Sequence, residues 1–372
     1  MPIEVEKKRA KLRQKSLSLY GNETKKLHET LSEISAWCER GDIKLDNYGT
    51  GDVLERFEKK IAKLLGFPAA RFMPSGVMAQ LTALRIWSDR AACNQFGMHP
   101  TSHLEIHEEQ AYAHLHGLKS TLIGPEKSPL LAEHFDAVEE TLASLLVELP
   151  IREAGGQLPS WEELESLKQS TQQKGVRLHV DGARLWECKS FYQREFSEIC
   201  RGFDSAYVSF YKGIGALPGA MLLGPKDFIE DAKIWQRRAG GTLQTQAVNV
   251  ASASLKFDQS LEMLPVYFEH TQRLVHTISD LPGIQILPSI PQTNMIHIYL
   301  PFSADIATAA RDGVAEKTEI WMFGRAAPTD DPNTSYFELY VGDVIASLSE
   351  EKIRQAFACL FDLGKEMAKQ HK

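Results

Sequence analysis

The centre of the chain reads RLHVDGARLWE over residues 177–187 and DSAYVSFYKGIGALPGAMLLG over residues 204–224. Two apolar runs within it, Leu178–Val180 and Ala206–Phe210, are typical of buried strands. Asp181 directly follows the first run, and Lys212 comes shortly after the second. In open α/β sheets, ligands bind outside the carboxyl ends of the strands. We therefore expect this acid and this amine to face one ligand.

A lysine and a carboxylate in this arrangement suit an aldehyde cofactor with a pyridine ring. The lysine can form a Schiff base with the aldehyde. The carboxylate can keep the pyridine nitrogen protonated, so that the ring accepts electrons. Each residue alone is also typical of a surface lysine in a glycine-rich turn, or of an Asp that caps a helix. Together they predict pyridoxal 5'-phosphate (PLP), with Lys212 as its anchor and Asp181 as its ring partner.

The segment MPSGVMAQ (73–80) is predicted to open a helix. Exposed backbone N–H groups and the helix dipole at such an N-terminus favour anions. Gly76 has no side chain that could block a phosphate. An ordinary Ser N-cap followed by a glycine gives the same pattern. With Lys212 as the anchor, we predict that Ser75, Gly76 and Val77 contact the cofactor phosphate.

Five of the twelve histidines lie within residues 99–116. His103 and His107 are four residues apart, which places both on one face of a helix. They are accompanied by no HExxH motif and by no clear third carboxylate ligand, so we predict no metal site. A planar imidazole that stacks on a cofactor ring is the better interpretation.

Composition indicates a globular protein of the reducing cytoplasm. Of the 372 residues, 43% are hydrophobic and 24% are charged, which is ordinary for such proteins. The net charge of −7 argues against nucleic acid as a partner, and no apolar run approaches the length of a membrane span. The charged N-terminus lacks the apolar core of a signal peptide. The five cysteines are scattered and form no CxxC motif.

Predicted strands and helices alternate through the middle of the chain, which indicates a parallel sheet. The predicted fold class is therefore α/β: a large domain with a mostly parallel central sheet flanked by helices, plus a small C-terminal α+β domain. We place an N-terminal helical segment at residues 1–45, the large domain at residues 46–270 and the small domain at residues 271–372.

Read in order, PSGVMAQ (74–80), DGAR (181–184) and YKGIGA (211–216) resemble the threonine aldolase/β-eliminating lyase family. Members of this family are PLP enzymes of the aspartate aminotransferase-like fold, fold type I. The resemblance extends over residues 48–294. SHLEIHEE (102–109) resembles the family's ring-stacking segment, and ELPIREAGG (148–156) resembles its EN-x-x…GG segment.

The resemblance implies a role for several residues. Lys212 would hold PLP, Asp181 would pair with the pyridine nitrogen, and His103 would stack on the ring. Arg184 would bind the α-carboxylate of a small amino-acid substrate, a task that suits a bidentate guanidinium. The further cofactor contacts are Ser75, Gly76, Val77 and Ser209. In this family, active sites form between two subunits, so the resemblance also implies a homodimer or homotetramer.

Some positions depart from the family pattern. Val77 replaces a threonine of the phosphate motif, Tyr211 replaces the serine before the lysine, and Ile151 falls where aldolases often have a histidine. The RSDT motif is absent. No clear counterpart of the C-terminal carboxylate-binding arginine lies near FELYVGD (337–343), although Arg325 is a candidate. These departures affect the choice of substrate more than the cofactor.

The leading hypothesis is a PLP-dependent lyase that cleaves the Cα–Cβ bond of a small β-hydroxy amino acid and gives glycine and an aldehyde. The proton of the β-hydroxyl group would go to His107 or to a water. β-Elimination and transamination are alternative reactions, and a catalytically inactive binding subunit with the same fold is a non-enzymatic alternative. A dinucleotide-dependent dehydrogenase is disfavoured because no GxGxxG motif follows a predicted strand.

Overall fold

The computed structural model describes residues 3–22 and 25–370, with side chains from residue 6 onward. The chain divides into two units. The large unit contains residues 25–153 and 157–264, and the small unit contains residues 3–22, Ala154–Gly156 and residues 265–370. In the described ranges, no helix is long and apolar enough to cross a membrane.

The α-helices, in chain order, are α1 (Ile3–Lys15), α2 (Leu27–Arg40), α3 (Asp52–Leu65), α4 (Gly76–Ala91), α5 (His103–Ile106), α6 (Ala111–His116), α7 (Ala132–Asp136), α8 (Trp161–Lys174), α9 (Lys189–Tyr192), α10 (Phe196–Cys200), α11 (Lys226–Arg238), α12 (Ala247–Ile278), α13 (Ala304–Thr318), α14 (Asp343–Ser347) and α15 (Glu350–Gln370). The strands are β1 (Leu17–Ser18), β2 (Ala69–Met73), β3 (Gln95–Met98), β4 (Lys119–Leu122), β5 (Ser144–Glu148), β6 (Arg177–Gly182), β7 (Ser205–Ser209), β8 (Ala220–Gly224), β9 (Gln285–Leu287), β10 (Met295–Leu300), β11 (Ile320–Trp321), β12 (Ala327–Pro328) and β13 (Ser335–Tyr340). Short 3-10 helices cover Arg152–Ala154 and Leu185–Glu187.

The large unit is built on a seven-stranded sheet in the order β2-β8-β7-β6-β5-β3-β4. All its neighbouring strands are parallel except at β8, which pairs antiparallel with β2 and β7. Every residue of β7 and β8 is buried. Such strands have near-continuous apolar sequences because both of their faces are covered. The apolar runs in the sequence therefore predicted the central strands correctly.

The small unit holds a separate antiparallel sheet in the order β12-β13-β10-β9. Helices α13 and α15 pack against each other. The core of this unit combines leucine, isoleucine and valine side chains with the rings of Phe302, Phe323, Phe337, Phe357 and Phe361. A mixed layer of this kind agrees with the α+β character that the sequence indicates for the C-terminal part of the chain.

The unit boundaries differ from the positions expected from the sequence. Residues 3–22 belong to the small unit, because β1 pairs with β11 and Arg9 Nε donates a 2.6 Å hydrogen bond to Asp312 Oδ2. The other boundary falls at Pro265, inside α12, and not at residue 270. The N-terminal difference arises because long-range pairing assigns the segment to a unit, and a local pattern carries no information about it.

Candidate active site

Asp181 lies at the carboxyl end of β6, with only 2% of its surface exposed. Its Oδ1 accepts a 3.0 Å hydrogen bond from the backbone N–H of Ala183, and its Oδ2 accepts a 2.6 Å hydrogen bond from Gln80 Nε2. Burial raises the pKa of Asp181, and the positive charge of Lys212 opposes this rise. The carboxylate is therefore held in one orientation by two donors.

Sequence analysis missed Gln80 as a functional residue. It lies within the same PSGVMAQ stretch, four residues after Gly76, so both lie on one face of α4. This spacing alone could have identified it. That it reaches a carboxylate 101 residues further along the chain follows only from the packing of α4 on β6.

Lys212 lies in the turn between β7 and β8 and is half-buried. Burial lowers the pKa of its amine, Asp181 and Glu148 raise it, and Arg184 and Arg152 lower it. Lys212, Asp181 and Arg184 are therefore close enough to influence one another, and their contact with one ligand stays a prediction. An amine with a lowered pKa has a larger unprotonated fraction near neutral pH, which favours attack on an aldehyde.

His103 begins α5, and its Nδ1 lies 3.0 Å from Glu108 Oε1. Burial lowers the pKa of His103 to about 4, and the charge of Lys212 adds to this effect. The imidazole is thus neutral at pH 7. A neutral, flat ring near Lys212 suits stacking against a cofactor and does not suit a charged contact.

His107 follows α5, and its ring centroid lies 4.9 Å from that of His103. Its Nε2 is 3.1 Å from Glu153 Oε1 and 3.5 Å from Arg152 Nη1. The side chain is 41% exposed, so solvent and small molecules reach it. Among the residues described here, no three His, Cys, Asp or Glu side chains gather as metal ligands.

Ser75 is the N-cap of α4, and its hydroxyl accepts a 3.3 Å hydrogen bond from the backbone N–H of Met78. The backbone N–H groups of Gly76 and Val77 belong to the first turn, where an α-helix leaves its donors without intrahelical partners. The Val77 side chain packs beside a core cluster that includes Leu81 and Leu84. The first turn of α4 thus has backbone donors that suit an anion, and their contact with a phosphate stays a prediction.

The reason for a glycine at position 76 differs from the one expected. A Cβ there would overlap the ring and hydroxyl of Tyr207, which is itself buried. The space left by the missing side chain is therefore filled by Tyr207. The packing of Tyr207 therefore requires a glycine here, and the contact of the Gly76 backbone with a phosphate stays a prediction.

We expect Gly76→Ala to lower the free energy of unfolding by about 2 kcal/mol, because overpacking a filled site forces buried groups to shift. Chemical denaturation of the purified protein measures this. Gly324→Ala is the matched control, since its added Cβ meets nothing within 4 Å. Equal stability of the two variants would show that Tyr207 moves aside without loss.

Arg184 ends the DGAR turn, and Ser209 at the end of β7 contacts that turn. Arg184 Nε is 3.9 Å from Glu187 Oε1, and its side chain is 12% exposed. The Ser209 hydroxyl donates a 2.8 Å hydrogen bond to the carbonyl of Ala183, and the Ser209 carbonyl accepts one from Trp186 Nε1. Ser209 thus fastens the end of β7 to the turn that carries Arg184. Its direct contact with a cofactor stays a prediction.

The sheet order, the residues at the strand ends and the separate α+β unit define an α/β enzyme with the aspartate aminotransferase-like fold of PLP enzymes, as predicted. The family model described as β-eliminating lyase matches residues 24–301, well over half of the chain. The chain belongs to the β-eliminating lyase family.

Solved structures and curated relatives agree with this assignment. A provisionally named L-allo-threonine aldolase from Listeria monocytogenes EGD-E is 38% identical, with 96% of this chain and 99% of that chain covered and a TM-score of 0.90. A provisionally named aromatic amino acid β-eliminating lyase/threonine aldolase from Exiguobacterium sp. 255-15 is 34% identical at the same coverage and TM-score. Low-specificity L-threonine aldolase 1 of Arabidopsis thaliana is 25% identical over 70% of this chain and 75% of its own length.

Proposed function

We propose that this protein is a PLP-dependent lyase that cleaves the Cα–Cβ bond of a small β-hydroxy amino acid and releases glycine and an aldehyde. The observation that carries the proposal is the buried Asp181, fixed by Gln80 and within electrostatic reach of Lys212. Relatives named as threonine aldolases support the choice of reaction.

The residues of the large unit fit PLP. Asp181 offers a buried, oriented carboxylate for a protonated ring nitrogen, and Lys212 offers a half-buried amine. The N-terminus of the 16-residue helix α4 offers backbone donors for a phosphate. His103 adds a neutral ring. When bound, PLP would supply an electron sink for the electrons of the broken bond.

Three residues of the chain would take part in the reaction. Arg184 binds the substrate carboxylate and fixes the orientation of the amino acid. Lys212 holds the cofactor and, as a free base, exchanges protons. His107, an exposed imidazole beside His103, takes the proton from the β-hydroxyl oxygen. Ile151, which stands where aldolases often have a histidine, is buried and apolar and has no proton-accepting group.

Product analysis tests the reaction. We expect glycine and acetaldehyde from L-threonine or L-allo-threonine, measured by chromatography and by a coupled aldehyde assay. The family description favours β-elimination as a second candidate, in which Lys212 removes the α-proton. Pyruvate from serine or cysteine derivatives, without an aldehyde from any β-hydroxy amino acid, would replace aldol cleavage by that reaction.

We expect His107→Ala to lower kcat for aldol cleavage by about 10²-fold, the lower end for loss of a general base. Added imidazole should restore part of the rate, since His107 is 41% exposed and leaves an accessible space. His114→Ala, an exposed histidine on α6, is the matched control and should keep the wild-type rate. An unchanged rate in His107→Ala would assign the proton transfer to water.

A further inference from the structure

Glu148 is an acidic residue beside the site that the proposed reaction does not use. It ends β5 and is the direct register partner of Asp181 in the parallel pair β5–β6. Side chains alternate between the two faces of a sheet along each strand, and register partners share a face. The Glu148 carboxyl group therefore lies on the same face of the sheet as Asp181.

Only one of its two carboxyl oxygens has a partner. Oε1 accepts a 3.0 Å hydrogen bond from the backbone N–H of Arg152. Oε2 is shielded from solvent, and no donor or acceptor in the described part of the chain bonds to it. Glu148 as a whole is half-buried, whereas its Oε2 atom is fully shielded. The exposed part of the residue is therefore another part of it. A buried polar atom without a partner is unfavourable by about 1–3 kcal/mol.

The surroundings of this carboxyl group favour its protonated form. Burial raises the pKa of Glu148 to about 8, and the neighbouring charge of Asp181 acts in the same direction. Lys212, Arg184 and the hydrogen bond from Arg152 act against this rise without cancelling it. Near neutral pH, the protonated form of Glu148 is therefore favoured, and its Oε2 meets no acceptor within the described residues.

We propose that Glu148 is a further ligand-contacting residue of this site, which donates its carboxylic O–H to an acceptor oxygen on the ring of the cofactor bound beside Asp181 and Lys212. The inference rests on the proposed function, because it takes PLP as the ligand. A protonated acid suits this position since it adds a donor without adding a second negative charge next to Asp181. The structural contact with the backbone N–H of Arg152 uses only Oε1, so it does not account for the buried Oε2.

Three variants separate these roles in the full-length protein. Glu148→Gln keeps the shape, stays neutral at every pH and retains an N–H donor. Glu148→Leu keeps a similar volume and removes the donor together with the acceptor of the Arg152 N–H, whereas Glu148→Gln retains both a donor and that acceptor. Glu162→Gln makes the same charge change at an exposed position on α8 and is the matched control. The dissociation constant of PLP is measured for each by fluorescence titration between pH 6 and pH 10.

At pH 7 we expect Glu148→Leu to weaken PLP binding about tenfold, the value of one hydrogen bond, and Glu148→Gln to stay within about threefold of wild type. Wild type and Glu162→Gln should lose affinity as the pH rises past about 8, whereas Glu148→Gln should lose less. Wild-type affinity and pH dependence in Glu148→Leu would overturn the inference and leave the proposed function intact. Failure of the wild type to bind PLP would overturn both.

The protein without PLP gives a second readout. A carboxyl group whose pKa is raised by folding stabilises the folded state least at high pH, because ionisation favours the unfolded chain. The wild type should therefore lose stability, relative to Glu148→Gln, as the pH rises from about 4.5 to about 8. A constant difference in denaturation midpoint over that range would contradict a buried, protonated Glu148 and so overturn the inference.

Discussion

Lys212→Ala is expected to abolish the lyase activity, with a loss of kcat of about 10⁴-fold or more, as for removal of other covalent nucleophiles. The half-buried amine beside Asp181 and Arg184 is the group that would anchor PLP covalently. Without it, the cofactor would be held only through its phosphate and ring. Visible absorbance of the purified protein and its intact mass after borohydride reduction measure the covalent link directly.

Lys226→Ala is the matched control for this experiment. Lys226 is exposed at the start of α11, a short distance along the chain after β8. This variant should keep both the absorbance band and the added mass. If Lys212→Ala retained a covalent PLP, another lysine would be the anchor and the proposed site would be wrong. Thermal unfolding establishes that each variant is folded.

Asp181→Asn is expected to lower kcat by about 10³-fold while PLP stays covalently attached. The neutral amide no longer favours a protonated ring nitrogen, so the ring becomes a weaker electron sink. The amide also has one oxygen where the carboxylate has two, so Ala183 N–H and Gln80 Nε2 cannot both keep their present acceptors. Steady-state kinetics combined with the mass of the reduced protein separates this outcome from that of Lys212→Ala.

Asp204→Asn is the control for a change of charge near the same strand. Asp204 bonds to the backbone N–H of Leu178 and to Arg177, at the opposite end of β6 from Asp181. This variant should lose stability and keep kcat within about twofold, since the contact is structural. A rate for Asp181→Asn equal to that of Asp204→Asn would mean that Asp181 has no special relation to the ring.

Much of the large unit can be read from the sequence because its strands are buried on both faces. The apolar runs before Asp181 and Lys212 correspond to β6 and β7. Strands with weaker patterns were not predicted from the sequence, namely β3 and β4. Strand β3 is only four residues long and contains a glycine. A strand that short shows too few alternations to be separated from a loop.

Some residues of the candidate site can likewise be identified from the sequence, and others cannot. Lys212, Asp181 and His103 stand out in the sequence. Only a few residue types can supply the amine, the carboxylate and the flat ring that PLP requires. Gln80 and Glu148 do not stand out, because glutamine and glutamate are common on helices and at strand ends. Their importance depends on the neighbour that each one meets.

By itself, the sequence determined the fold class of the large unit, the family resemblance and the residues that would carry the chemistry. These depend on patterns within a few positions of the chain and on the properties of single side chains. Only the tertiary structure decided which segments form each unit, that Tyr207 packs against Gly76, and that Glu148 lies beside Asp181. The physical reason is that burial and strand register join residues far apart in the chain, and these set the hydrogen bonds and pKa values on which the site depends.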